Sequence, residues 1–184
     1  MAENYQRLFL KQMEPYLDFI NLMAYDFTGP WSSNAGHQAN LYLSTSNPVS
    51  TPHNVDSAVT YYLNQSIPAN KLILGMPAYG RSFANTAGPG TPYSGHGGGT
   101  WENGVWDYKV LPQPEATVYL DRKIGASWSY GRNARVMVSY DTPEVQKIKT
   151  EYILSKGLGG AMWWETSGDR KVDDPKGSLI KTVC

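Results

Sequence analysis

Three apolar runs constrain this chain more than any other feature: LDFINLMAY (17–25), KLILGMPAY (71–79) and GLGGAMWW (157–164). None alternates apolar with polar residues as a half-solvated strand would. Near-continuous runs of this length read as strands buried on both faces, the habit of parallel sheets covered by helices. The first run turns abruptly polar at its end, in Tyr25 and Asp26. The others do the same, with Tyr79 and Arg81 after the second and Trp164 and Glu165 at the third.

Helical patterns stand between the runs. DSAVTYYLNQ (56–65) puts Ala58, Val59, Tyr62 and Leu63 on one stripe, with Pro52 and Asn54 as start signals. In DTPEVQKIKTEYILSKG (141–157), Thr142 suits the N-cap, Pro143 the first helical position and Glu144 the positive helix end. Val145, Ile148 and Tyr152 make its apolar face, and Gly157 is its stop. NYQRLFLKQM (4–13), broken at Pro15, reads as a helix feeding the first strand, and GSLIKTV (177–183) as a short closing helix.

The interval from Arg81 to Ser139 breaks this rhythm. It is rich in Gly and Pro at first, then holds strand-like KIGASWSY and RVMVSY around GRNA, a hairpin signal. The expected organisation is a strand–helix segment over 1–80, a small α+β insertion over 81–139, and a helix–strand segment over 140–184. Three parallel strands alone leave apolar edges and an unfilled face, so the pattern belongs to something rounder, such as a barrel.

Composition narrows the chemistry. The 184 residues are the size of one domain, and 16 basic residues balance 16 acidic ones, which gives no sign of a nucleic-acid or membrane-surface partner. The one cysteine, Cys184, excludes an intrachain disulfide. The opening MAENYQRLFLKQMEPYLDF has no uninterrupted apolar core, so no signal peptide is expected, and taken alone the chain reads as cytoplasmic. The sequon Asn64-Gln65-Ser66 fits a secreted parent instead. Six Trp and thirteen Tyr stand against four Phe. Flat side chains with a polar edge suit sugar clefts, and equally suit a core with polar handles.

In parallel α/β architectures the carboxyl ends of the strands share one face, and that face holds the site. Other chemistries fit poorly. His37, His53 and His96 show no ligand spacing, so no metal or other cofactor is expected. SGHGGGTWE (94–102) lacks the Lys-Ser/Thr of a phosphate loop. GRSFA (80–84) looks like a degenerate nucleophile elbow around Ser82, but its HGGG segment follows rather than precedes it, and no helix signal comes after.

NLMAYDF, LGMPAYGRSF, WENGVWDY and GGAMWWE, in that order, resemble the carboxyl-terminal part of a glycoside hydrolase family 18 chitinase of the fungal type. The resemblance runs from about Tyr5 to about Lys181. It implies strands 6 to 8 of a (β/α)8 TIM barrel carrying the family's insertion domain. It also implies an extracellular parent enzyme acting on chitin or N-acetylglucosamine oligomers. In the mechanism implied, the 2-acetamido carbonyl attacks the anomeric carbon while a carboxylic acid protonates the leaving oxygen. By position, Tyr25 matches the tyrosine that holds the acetamido oxygen, and Asp26 the carboxylate that hydrogen-bonds the sugar. Met23 matches a pocket wall, Trp164 the floor under the scissile sugar, and Arg81 a cleft residue. Glu165 is expected in the cleft beside Trp164. Trp101, Trp106 and Tyr108 are expected either to wall the groove or to fill the insertion's own core.

The family's acid motif, DxxDxDxE, does not occur in the 184 residues, and none of the seven glutamates has those aspartates before it. General acid help is commonly worth about two to four powers of ten in rate. The chain alone is therefore expected to hold part of a sugar site without turnover, needing either a missing amino-terminal barrel half or self-association to cover its sheet. The alternative is a non-hydrolytic sugar-binding or vestigial protein.

Overall fold

The computed structural model describes residues 7–183. In chain order the helices are α1 (Leu10–Met13), α2 (Val55–Asn64), α3 (Pro143–Lys156) and α4 (Leu179–Val183). The first strands are β1 (Ile20–Leu22), β2 (Leu72–Pro77), β3 (Tyr79–Phe83) and β4 (Val105–Asp107). The rest are β5 (Thr117–Asp121), β6 (Ala126–Gly131), β7 (Val136–Ser139) and β8 (Gly160–Trp164). They form a three-stranded parallel sheet, β1-β2-β8, and a five-stranded antiparallel sheet, β4-β3-β7-β6-β5.

The parallel sheet packs one face on α2 and α3. Leu22, Leu72, Leu74 and Met76 are buried there against Val55, Ala58, Val59, Tyr62, Tyr152 and Ile153. The register puts Ala161 and Trp163 on the same side, beside Leu74 and Met76. The opposite face carries Asn21, Ile73, Met162 and Trp164, which are half-buried or exposed. Burial on both faces, as the continuous runs imply, holds for the central strand β2, where only Ile73 is half-buried, but not for β1 and β8, whose far faces are open; the helices cover one side only.

Both long helices begin and end where local chemistry says. Asn54 caps α2 by accepting from the Ser57 amide at 2.8 Å. Thr142 occupies the N-cap place of α3, but its hydroxyl makes no cap bond; Pro143 starts that helix and Gly157, at φ 64°, ends it. The buried face of α3 holds Gln146 and Lys149 as well as Val145, Tyr152 and Ile153. Lys149 lies 2.5 Å from Asp141, an ion pair sealed inside the protein.

Several expectations need correction. The first run makes only three residues of strand, and just beyond them the Ala24 amide turns back onto the Leu22 carbonyl at 2.8 Å. The second run stops at Pro77, and Tyr79 and Arg81 already belong to β3 of the other sheet. Ala78 is the joint: its amide donates to the Trp164 carbonyl at 2.8 Å and its carbonyl accepts from the Tyr108 amide at 3.0 Å. The helix expected over 4–13 is four residues, followed by a 3-10 turn at Glu14–Tyr16 that holds Pro15; residues 1–6 lie outside the described part.

The α+β expectation for 81–139 is also revised. Among the described residues this interval holds strands and one 3-10 turn, Tyr108–Val110, with no α-helix. ASWSYG alternates with period two, and TVYLD is rich in β-branched and aromatic residues, both of which suit a pleated surface. The GRNA hairpin joins β6 to β7, and a second turn, over 122–125, joins β5 to β6. No helix among the described residues is long and apolar enough to cross a membrane.

Candidate functional site

A cleft of about 550 Å³ opens where the carboxyl ends of β1, β2 and β8 meet the β3–β4 edge of the antiparallel sheet. Its wall includes Met23, Tyr25, Asp26, Arg81, Trp101, Trp164 and Glu165. Strand ends supply five of them, while Arg81 and Trp101 come from the second sheet and its Gly-rich loop.

Tyr25 lies over Gly75 of β2. A Cβ there would fall 2.5 Å from the Leu22 carbonyl oxygen and 3.1 Å from the Tyr25 ring, so only glycine admits the ring at this depth. The ring meets Tyr79 edge-on at 6.2 Å, which fixes its tilt. Its hydroxyl has no hydrogen-bond partner among the described residues. Burial, and then the negative charge of Asp26, push its pKa up, so the phenol stays protonated and able to donate.

Asp26 adopts a left-handed backbone, φ 59°, a conformation aspartate tolerates better than most residues. Its carboxylate is clasped by Arg81, with Nε donating to Oδ1 and Nη2 to Oδ2, each at 2.8 Å. Tyr79 donates its hydroxyl to the same Oδ1 at 2.6 Å. This is the bidentate geometry in which an arginine–carboxylate pair is strongest. Burial and the Asp26 carboxylate together hold the Tyr79 phenol far above its ordinary pKa. Burial works to lower the Arg81 pKa, but its hydrogen bonds to Asp26 and that residue's charge outweigh this and raise it. Arg81 also stacks over Trp31, 5.1 Å from the ring centre, and reaches Glu102 at 3.6 Å.

The opposite wall is aromatic and acidic. Trp164 is 59% exposed and Trp101 70%, each presenting an open ring to the cleft. The Trp101 indole donates to Asp107 Oδ1 at 2.6 Å, and Asp107 is held in turn by Lys109 at 3.0 Å. Glu165 accepts from the Ser167 hydroxyl and is otherwise open to solvent.

Trp106 and Tyr108 do not line the cleft. β3 and β4 pair with Tyr79 opposite Asp107 and Arg81 opposite Val105, and all four of these residues face it. Trp106, opposite Gly80, therefore points the other way, into a core with Tyr108, Leu111, Val138 and Tyr140. The same alternation is the signal that would have added Asp107 to the site beside Tyr79, which its place at the end of the second run already marks; Glu102 carries no comparable signal. Ser82 is buried and donates its hydroxyl to the His96 carbonyl, which leaves no base to activate it as a nucleophile. Among the described residues no three His, Cys, Asp or Glu side chains gather as a metal ion requires.

Residues 2–169 match the family model described as glycosyl hydrolases family 18. The chain is 51% identical over 179 residues to Endochitinase 1 of Metarhizium robertsii, a match covering 97% of this chain and 42% of that protein. A chitinase structure from Bacillus thuringiensis superposes with a TM-score of 0.81 at 34% identity, covering 95% of this chain and 32% of that one. The class V chitinase of Nicotiana tobaccum, solved in complex with NAG4, superposes with a TM-score of 0.80 at 26% identity, over 95% of this chain and 50% of that one. The chain thus spans 42% of the length of the fungal relative.

Proposed function

This chain belongs to glycosyl hydrolase family 18, and from that premise we propose that it forms one half of the aminosugar groove of a chitin-degrading enzyme. The carrying observation is that Tyr25, the Asp26–Arg81 pair and Trp164 all line one cleft. On this reading β1, β2 and β8 are strands 6 to 8 of a (β/α)8 barrel, and 81–139 is the family's insertion. The remaining strands cover the open face of the parallel sheet, and the parent enzyme is extracellular.

In the mechanism, the protonated Tyr25 hydroxyl donates to the acetamido oxygen of the sugar and directs that oxygen at the anomeric carbon. Holding reactants in near-attack geometry can be worth several kcal/mol. Trp164 stacks under the apolar face of the same sugar, Met23 closes the side, and Trp101 walls the groove. The Asp26 oxygens, oriented by Arg81 and Tyr79, and Glu165 take sugar hydroxyls or the acetamido N–H. The proton for the leaving oxygen comes from a DxxDxDxE segment outside the 184 residues. Glu165 does not replace it, because a carboxylate displaced by even ~1 Å loses much of its effect.

Tryptophan emission titrated with the N-acetylglucosamine tetramer tests this reading. Saturable quenching that weakens at least about tenfold in Trp164→Ala is expected. Quenching that is absent, or untouched by that substitution, would mean the cleft is not a sugar site.

A further inference from the structure

The clasp of Asp26 by Tyr79 and Arg81 joins two sheets that meet only at their rims, so something must hold those rims in register. Gln38 lies behind the clasp, fully buried, in the loop that follows β1. Its carbonyl accepts from the Phe27 amide at 2.9 Å, directly after Asp26. Its side-chain amide donates to the Tyr79 carbonyl at 2.7 Å and to the Ser139 carbonyl at 3.1 Å. Its own backbone amide donates to the Ser139 hydroxyl at 3.0 Å. The orientation of the amide is not arbitrary: two carbonyls converge on one side, and only the nitrogen can donate to both.

A closed circuit results. From Asp26 the chain passes to Phe27, across to Gln38, through the Gln38 amide to Tyr79, and back through the Tyr79 hydroxyl to Asp26. We propose that Gln38 is a positioning residue that sets the Asp26–Tyr79–Arg81 clasp by tying the loop after β1 to β3 and β7. Its side-chain oxygen is buried with no partner, which costs stability. A side chain serving as packing alone would not carry that cost. Gln38 touches no sugar; it acts through the residues in front of it. Its value for binding rests on the sugar-groove reading, whereas the geometry it sets does not.

The test uses the full chain and reads the clasp directly. In an ¹H–¹⁵N spectrum the Arg81 Nε–H, bonded to Asp26, gives a resonance assignable by its loss in Arg81→Lys. Gln38→Met keeps the side-chain volume and removes both donors. In a Gln38→Met protein that still melts in one transition, the Arg81 Nε–H signal is expected to shift and to exchange with solvent at least about tenfold faster. Affinity for the N-acetylglucosamine tetramer falls about tenfold beside it, the equivalent of one charge-assisted hydrogen bond. An Arg81 signal unchanged in position and exchange rate overturns the proposal. Should Gln38→Met not fold, Ser139→Ala, which frees the Gln38 backbone but spares its side chain, is read the same way: a smaller shift supports the role and no shift overturns it. If the wild type binds no tetramer, the sugar reading fails while the Arg81 resonance still decides the role of Gln38.

Discussion

Arg81 holds Asp26 by two parallel hydrogen bonds of 2.8 Å, one from Nε and one from Nη2, across the gap between the two sheets. Lysine can supply a point charge at this place but not the planar fork. Arg81→Lys is therefore expected to lower stability by about 2 kcal/mol, the scale of a hydrogen bond to a charged group. It is also expected to weaken tetramer binding about tenfold. Urea titration and tryptophan emission measure the two effects. A lysine variant equal to the wild type in both would show that the fork carries no weight.

Asp141 and Lys149 make a second ion pair with the opposite character, sealed from water and 2.5 Å apart. Gln146 donates to the same carboxylate and accepts from the Trp163 indole, so the pair braces α3 against β8. Lys149→Met strands a buried carboxylate, and a loss of about 3–5 kcal/mol is expected. The double variant Asp141→Leu/Lys149→Met should recover much of that loss, since an apolar pair of similar volume avoids the desolvation. Denaturant midpoints of the single and double variants decide; additive losses contradict the account.

His37 makes stability depend on acid. Its ring is 2% exposed, packs edge-on against Trp128 at 5.1 Å, and has an Nδ1 without a partner. Burial lowers its pKa to about 4, with the Asp121 charge opposing only in part. The unfolded chain takes up the proton near 6.5 and the folded one resists it. The stabilisation is thus complete above pH 6.5 and disappears as pH falls toward 4, by at most about 3 kcal/mol. Urea midpoints between pH 7.5 and 4 should fall less steeply in His37→Gln than in the wild type. Parallel slopes would assign the acid sensitivity elsewhere.

Much of the architecture is legible in the residues. Continuous apolar runs mark β1, β2 and β8, and Pro143 and Gly157 bracket α3. Polar groups at the strand tips mark Tyr25, Asp26 and Trp164 for one face, because parallel strands end together. What is hidden depends on partners far away in sequence. Lys149 and Gln146 look like solvent residues until Asp141 is placed beside them. Trp106 resembles a cleft residue until the β3–β4 register turns it inward. The end of β2 cannot be separated from the start of β3 by hydropathy, since Ala78 is as apolar as its neighbours. Gln38 carries no motif at all; its role exists only where three segments meet.

The uncovered side of the parallel sheet has a consequence of its own. β1 and β8 each have one unpaired edge among the described residues, and Phe9, Tyr16, Phe19 and Met23 stand exposed in the segments before and after β1. Open apolar edges recruit partners. Sedimentation of the isolated chain is expected to show dimers or larger species, relieved when a polypeptide supplying the remaining strands is co-expressed. A sharp monomer with a single cooperative melt would mean the edge protects itself.

The most direct measurement is product analysis of the N-acetylglucosamine tetramer incubated with the 184-residue chain alone, with tryptophan emission followed in the same sample. Saturable quenching with the tetramer left intact is the predicted result, because on the proposed reading the groove positions the sugar and the proton donor lies outside the 184 residues. Release of shorter oligomers by this chain alone would contradict it.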